Sequence, residues 1–211
     1  MNASAFMHTL VVNAGSSSVK FAVYRAAGAA LDLQCRGRVE GLGTSPRFAA
    51  EDAAGRRLDE RQGPSQGAGD HAAAIAMALD WIFARFGRHA LRAAGHRVVH
   101  GGTSFAQPVR IDAQVLAGLE KLVPLAPLHQ PHNLAAIRAL MELAPDLPQV
   151  ACFDTAFHRT MSETAARFAL PRALHAAGIR RYGFHGLSYE SIASQLAGVA
   201  PELARGRVIV A

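Results

Sequence analysis

Apolar positions in the first fifty residues fall in short β-branched and aromatic runs, and further along they recur at helical spacing. Residues 9–13 and 18–24 are β-rich and are separated by Ala14-Gly15-Ser16-Ser17, a small-residue turn, so they predict a hairpin. Residues 31–40 and 47–52 continue the strand character, Ala53-Ala54-Gly55 predicts a turn, and residues 61–69 read as a Gly/Pro/Gln loop. Asp70 then caps a helix whose Ile75, Leu79, Ile82, Phe83 and Phe86 share a face, with Gly87 near its end. A strand over residues 96–100 stops at Gly101-Gly102, and helices follow at 113–122 and about 133–143, joined by a Pro-rich loop at 124–131. Residues 149–153 predict a short buried strand, 188–196 a helix, and 207–211 the start of a buried parallel strand. Strands first and then alternating helix and strand predict an α/β chain with a mixed sheet flanked by helices.

Composition narrows the class. Of 211 residues, half are hydrophobic and 18% charged, as in a globular chain with a sizeable core. No apolar run approaches the roughly 18 residues of a membrane span. The segment before Val12 has neither a basic region nor an apolar core, so no secretory signal is expected. Cys35 and Cys152 form no disulfide framework or metal spacing, which suggests a reducing compartment and a cytoplasmic location. The net charge of +6 invites a nucleic-acid reading. The basic residues are scattered, however, without the stripe and interleaved aromatics such a footprint usually shows. A solvated Arg-rich surface partnered by Glu and Asp is the expectation, with anionic small molecules as ligands.

Five segments carry candidate chemistry. In Asn13-Ala14-Gly15-Ser16-Ser17-Ser18-Val19-Lys20, Gly15 permits close approach of backbone amides, and three hydroxyls and one cation stand within reach of an anion. An ordinary turn has the same composition. In Gly95-His96-Arg97-Val98-Val99-His100-Gly101-Gly102, strand alternation puts Arg97 and Val99 on one face, a carboxylate fork beside a small apolar contact. His96 and His100 would lie about 13 Å apart on an extended strand and so cannot share a metal. A surface ion pair is the alternative for Arg97. Pro127-Leu128-His129-Gln130-Pro131-His132-Asn133 offers two loop histidines without a zinc-ligand companion. Phe153-Asp154-Thr155-Ala156-Phe157-His158 puts Asp154 just after a buried strand, a position favoured for site carboxylates and also for helix caps. In Arg180-Arg181-Tyr182-Gly183-Phe184-His185-Gly186-Leu187-Ser188, His185 precedes a helix, placed for developing negative charge or for capping.

Together and in this order, these five segments resemble the successive signatures of the acetate kinase family, which includes acetate, propionate and butyrate kinases of the actin-like ATPase superfamily. The resemblance implies two domains sharing a duplicated RNase H-like core, with a cleft between them for acyl phosphate and nucleotide. Residues 1–155 would form the N-terminal domain, and residues 156–211 would begin the nucleotide-binding domain. It implies ATP/ADP as co-substrate and Mg²⁺ or Mn²⁺ as cofactor, with Asn13 helping to hold the metal. Ser16, Ser18 and Lys20 would address the transferring phosphoryl group. Arg97 would bind the substrate carboxylate, while Val99 and Leu128 would line a methyl pocket. His129 and His185 would stabilise charge, and Asp154 would be the catalytic aspartate.

The implied activity is an acetate kinase, ATP + acetate ⇌ acetyl phosphate + ADP, with a homodimer expected of the complete enzyme and no nucleic-acid or membrane partner. A propionate or butyrate kinase is the alternative within the family. A catalytically incomplete chain keeping the acyl-phosphate half-site is another. This sequence has Thr103 where the family usually has Glu, Gln130 for Asn, and Leu187 and Tyr189 for Thr and His. In the family a strand like 207–211 leads into a phosphate-holding loop, so an N-terminal portion of the enzyme is the expectation.

Overall fold

In the computed structural model the described residues are 7–28, 30–63 and 70–210. They hold eight strands: β1 (His8–Ala14), β2 (Ser18–Ala27), β3 (Ala30–Glu40), β4 (Arg47–Asp52), β5 (Arg57–Gln62), β6 (Leu91–Val98), β7 (Val109–Arg110) and β8 (Gln149–Phe153). The helices are α1 (His71–Phe86), α2 (Ala113–Glu120), α3 (Gln130–Leu143), α4 (Glu163–Ala166), α5 (Arg172–Ala176), α6 (Gly186–Val199) and α7 (Pro201–Ala204). The strands form one mixed sheet in the order β5-β4-β3-β2-β1-β6-β8-β7. The first five pair antiparallel with their chain neighbours, and β1 pairs parallel with β6, setting Val12 against His96.

Contacts divide the chain into two compact units. One holds the described residues up to Val98 together with Val109–Ala151, and the other holds Val99–Pro108 and the residues from Cys152. Residues 99–108 thus group with the second unit, although they lie inside the expected first domain.

The first unit is built on one sheet face. Leu10, Val12, Val19, Phe21, Val23, Val39 and Phe48 alternate inward and bury under α1 and α3 through Ile75, Leu79, Ile82, Ala136 and Leu140. Phe21, Phe48 and Trp81 form an aromatic triangle with centroids 5.6–6.2 Å apart. Each such ring contributes about 2–3 kcal/mol by leaving water. Gly37 is required there, because a Cβ would strike the Phe21 ring and lie 2.8 Å from the Ala49 carbonyl oxygen. The α1 cap forms as the sequence predicts, with Asp70 Oδ1 accepting from the Ala73 N–H at 3.0 Å.

Several elements differ from the sequence expectation. Strand β5 is absent from the sequence expectation, since four of the six residues in Arg57–Gln62 are charged. It is an edge strand held by its ladder to β4 and by Glu60, which pairs with Arg47 at 2.8 Å and Arg57 at 2.7 Å. The loop expected over 61–69 begins inside this strand, and residues 64–69 lie outside the described residues.

The strand expected at 96–100 is instead the end of β6, and Val99 and His100 lie beyond it. The strand alternation that joined Val99 to the face of Arg97 therefore does not extend that far. The chain turns because the Gly101 N–H donates to Thr155 Oγ1 at 3.0 Å and the Gly102 N–H to His100 Nδ1 at 2.9 Å, with Gly102 at φ +60°. Helix α3 starts three residues earlier than expected, with Pro131 in its first turn, where no N–H is needed. Residues 207–210 form no strand, and Ile209 is 92% exposed. An extended segment needs a paired neighbour to satisfy its backbone, and these residues have none among the described strands.

The Arg-rich surface is partnered as expected. Arg25 pairs with Asp32 at 2.9 Å and Arg56 with Asp52 at 2.8 Å, while Arg36–Glu51, Arg138–Glu120 and Arg167–Glu163 form further pairs. No helix among the described residues is long and apolar enough to cross a membrane.

Candidate active site

In the first unit, sheet register gathers candidates that the sequence places far apart. Asn13 on β1 stands opposite Lys20 on β2, and Lys20 opposite Arg38 on β3. Directly opposed residues share a face, and their neighbours Ala14, Val19 and Val39 point into the core, so these three point to the open face. Arg97, near the end of β6, donates from its Nη1 to Asn13 Oδ1 at 3.3 Å. The outcome is a cross-strand row, Arg97–Asn13–Lys20–Arg38, at the usual spacing of about 4.8 Å between strands. Three cations line one edge of the open face. Arg38 also pairs with Glu40 at 3.0 Å, and Lys20 and Arg38 line a groove of about 640 Å³ with Arg36, Glu51 and Arg57.

The row leads into the Gly15 turn. The Gly15 N–H donates to the Ser18 carbonyl at 2.8 Å, and Ser16 is exposed. Two buried side chains from helix starts reach this turn. Asn133 Nδ2 donates to the Ala14 carbonyl at 2.7 Å, and His71 Nε2 donates to the Gly15 carbonyl at 2.7 Å. The His71 ring stacks on His132, centroids 4.9 Å apart. Burial, with His71 and His129 nearby, pushes His132 below the usual histidine range. His129 itself stands exposed at the start of α3, and Leu128 before it is 74% exposed.

Behind this row, His96 is buried, and its Nε2 donates to Gln149 Oε1 at 2.7 Å. Burial takes its pKa down to about 4, so it is a neutral core group.

The second unit positions Asp154 and His185 together. Asp154 follows β8 directly and is buried, and its backbone carbonyl accepts from the Gly186 N–H at 2.8 Å. Gly186 has no room for a side chain, since a Cβ would fall on the Asp154 carbonyl oxygen and within 2.6 Å of Phe157 Cβ. His185, one residue earlier, holds φ +57° and is the non-glycine residue with positive φ among the described residues. A left-handed histidine costs about 1–3 kcal/mol and persists only where its surroundings dictate it. The Gly186–Asp154 contact fixes the residue that follows, and His185 is exposed at the N-terminus of α6, where the helix dipole favours negative charge. Around them, His158 Nε2 bonds the Phe184 carbonyl at 2.9 Å, and His100 packs edge-on against Tyr182 at 4.5 Å. Burial lowers the pKa of His100. Val99 is buried, and Tyr189, at a departure from the family pattern, packs edge-on against His158 at 5.5 Å.

The expected residues thus fall into two groups: Asn13, Ser16, Ser18, Lys20, Arg97, Leu128 and His129 in the first unit, and Val99, Asp154 and His185 in the second. Sequence reasoning missed His71, Asn133 and Arg38 as site neighbours. Asn133 lies inside a segment already singled out, whereas His71 reads only as the residue after a helix cap.

Comparison with known proteins identifies the family. Residues 8–206 match the family model described as the acetokinase family. The chain is 53% identical over 202 residues to an acetate kinase of Rhizobium meliloti, covering 96% of this chain and 51% of that protein. Among solved structures, a propionate kinase from Francisella tularensis superposes with a TM-score of 0.82 at 34% identity, covering 92% of this chain and 49% of that one. The Porphyromonas gingivalis acetate kinase gives 0.80 at 34% identity over the same shares. The chain spans about half the length of the curated relatives it matches. The mixed α/β fold is the one these kinases share, and with the family match over nearly its whole length the chain belongs to the acetokinase family.

Proposed function

We propose that this chain carries the acyl-phosphate side of an acetate kinase, which transfers a phosphoryl group reversibly from ATP to acetate to give acetyl phosphate and ADP. The observation that supports the reading best is the row Arg97–Asn13–Lys20–Arg38 beside the Gly15 turn. Arg97, steadied by Asn13, is a fork for a carboxylate, while Lys20 with Ser16 and Ser18 forms a cationic, hydroxyl-rich end for a phosphoryl group. Val99 in the second unit and Leu128 in the first are each assigned to the acetate methyl group on the family pattern alone. His129 and His185 are assigned to charge developing on the transferred group.

In-line transfer to a carboxylate depends on positioning and charge neutralisation. Acetate is already ionised at pH 7, since carboxylic acids titrate near pH ~4. The acceptor therefore needs no general base, and Asp154 is assigned to orienting a cation. Mg²⁺ or Mn²⁺ fits the donor set in one way. Asn13 offers a single neutral oxygen shared with Arg97, and no group of three or more His, Cys, Asp or Glu among the described residues could cage an ion. Asn13 would hold such an ion together with phosphate oxygens and water, and the ion would supply charge neutralisation when bound. ATP/ADP as co-substrate, a cytoplasmic location and a homodimeric complete enzyme belong to the same proposal and rest on the family.

The likeness to a propionate kinase favours one second reading, a longer acyl group. The test is acetate-dependent ADP release by the 211-residue chain with Mg-ATP, beside Arg97→Ala. Turnover that Arg97→Ala lowers about a hundredfold, the loss of a charged fork, supports the proposal. Higher kcat/KM for propionate would replace acetate as substrate. A folded chain that binds acetyl phosphate without turnover supports the acyl-phosphate side alone, and a folded chain that neither binds nor turns over would refute the proposal.

A further inference from the structure

We infer that His71 and Asn133 are positioning residues for the phosphoryl-binding turn, each clamping one carbonyl so that the Ser16 N–H is presented to the ligand. The inference rests on the proposed reading of that turn. The two donors come from sites 56 and 119 residues away along the chain, yet both converge on adjacent peptide groups at 2.7 Å. Both are buried, His71 at 8% and Asn133 at 4% exposure. They are therefore part of the packed structure under the turn.

The consequence follows from peptide planarity. In a trans peptide the C=O of one residue and the N–H of the next point in opposite directions. Asn133 draws the Ala14 carbonyl to the start of α3, and the following Gly15 N–H points the other way, into the bond with the Ser18 carbonyl. His71 draws the Gly15 carbonyl to the start of α1, so the Ser16 N–H points away from α1. No group among the described residues accepts from that N–H. It is a donor whose direction the Gly15 carbonyl clamp fixes.

Clamping matters because Gly15 leaves the turn free to flip. A Cβ at Gly15 would make only ordinary contacts, the nearest being the Ser18 carbonyl oxygen at 3.7 Å, so sterics do not hold this backbone. The side-chain donors do. The Gly15 carbonyl can only accept, so His71 carries its proton on Nε2, and the stack on His132 sets the ring plane. A turn already held in the binding conformation loses less entropy on meeting the anion.

The test uses the 211-residue chain and two readouts. One is the amide resonance of Ser16 without ligand, and the other is titration with acetyl phosphate by calorimetry. His71→Leu removes the donor, His71→Gln keeps an N–H at a similar reach, and Asn133→Asp puts an acceptor against the Ala14 carbonyl. The expected result is a shifted Ser16 resonance and about tenfold weaker acetyl phosphate binding in His71→Leu and Asn133→Asp, as for one lost hydrogen bond. His71→Gln recovers most of both.

A folded His71→Leu chain with an unmoved Ser16 resonance and wild-type affinity would overturn the inference. So would His71→Gln behaving like His71→Leu. If His71→Leu does not fold, the comparison of Asn133→Asp with wild type decides by the same two criteria. Wild-type protein that binds no acetyl phosphate would instead refute the reading of the turn as a phosphoryl site, while the Ser16 resonance still decides whether the clamp exists.

Discussion

Replacing Gly186 by alanine tests the contact between the start of α6 and Asp154 directly. The new Cβ would meet the Asp154 carbonyl oxygen and Phe157 Cβ, the latter at 2.6 Å. Neither atom is the end of a flexible side chain, so relief requires moving the first turn of α6 away from β8. That movement stretches the 2.8 Å Gly186–Asp154 bond. Overpacking of this kind costs about 1–3 kcal/mol, and a weakened buried hydrogen bond adds about 1 kcal/mol. A net loss of about 3 kcal/mol lowers Tm by roughly 6–12 °C for a chain of this length. Gly198, in the same helix with open space around its Cβ position, is the matched control. There alanine stabilises by about 0.5–1 kcal/mol through backbone entropy. Thermal unfolding followed by circular dichroism, checked by urea titration, measures both. A Gly186→Ala chain within a degree of wild type would refute the reasoning, as would an equal drop for Gly198→Ala.

Three further outcomes are expected. His185→Gly, which relieves the positive φ, should be about 1 kcal/mol more stable than His185→Ala in urea unfolding; equal stabilities would mean that the backbone at 185 carries no strain. His96 binds its proton near pH 4 when folded and near the ordinary histidine value of 6.5 when unfolded. The unfolded chain therefore takes up the proton first as pH falls. Stability should drop between about pH 6.5 and pH 4, by about 3 kcal/mol at most, and level off below. His96→Gln should flatten that part of the pH profile, and an unchanged slope would place the titration elsewhere. Asp70→Ala should cost about 1 kcal/mol by removing the α1 cap, and stability identical to wild type would argue that the cap bond is idle.

Much of this protein is legible in short stretches of its chain. The Ala14–Ser17 turn, the Asp70 cap, the buried run 149–153 and the five signature segments each depend on neighbours within a few residues, where sterics and local hydrogen bonds decide the conformation. Charged β5 escaped that logic because its stability comes from β4 and its ion pairs, not from an apolar pattern. Strand alternation likewise projected Val99 onto the face of Arg97, but Thr155 and the two glycines turn the chain out of the sheet first.

The site shows the same division. Residue types at Asn13, Lys20, Arg97, Asp154 and His185 are visible as motifs. Their arrangement in a cross-strand row, the reach of His71 and Asn133 to one turn, and the left-handed backbone of His185 are not. No spacing rule links residues 56 or 119 positions apart. Such contacts exist only once sheet register and helix packing have brought distant backbones within hydrogen-bond range, which is a property of the folded chain as a whole.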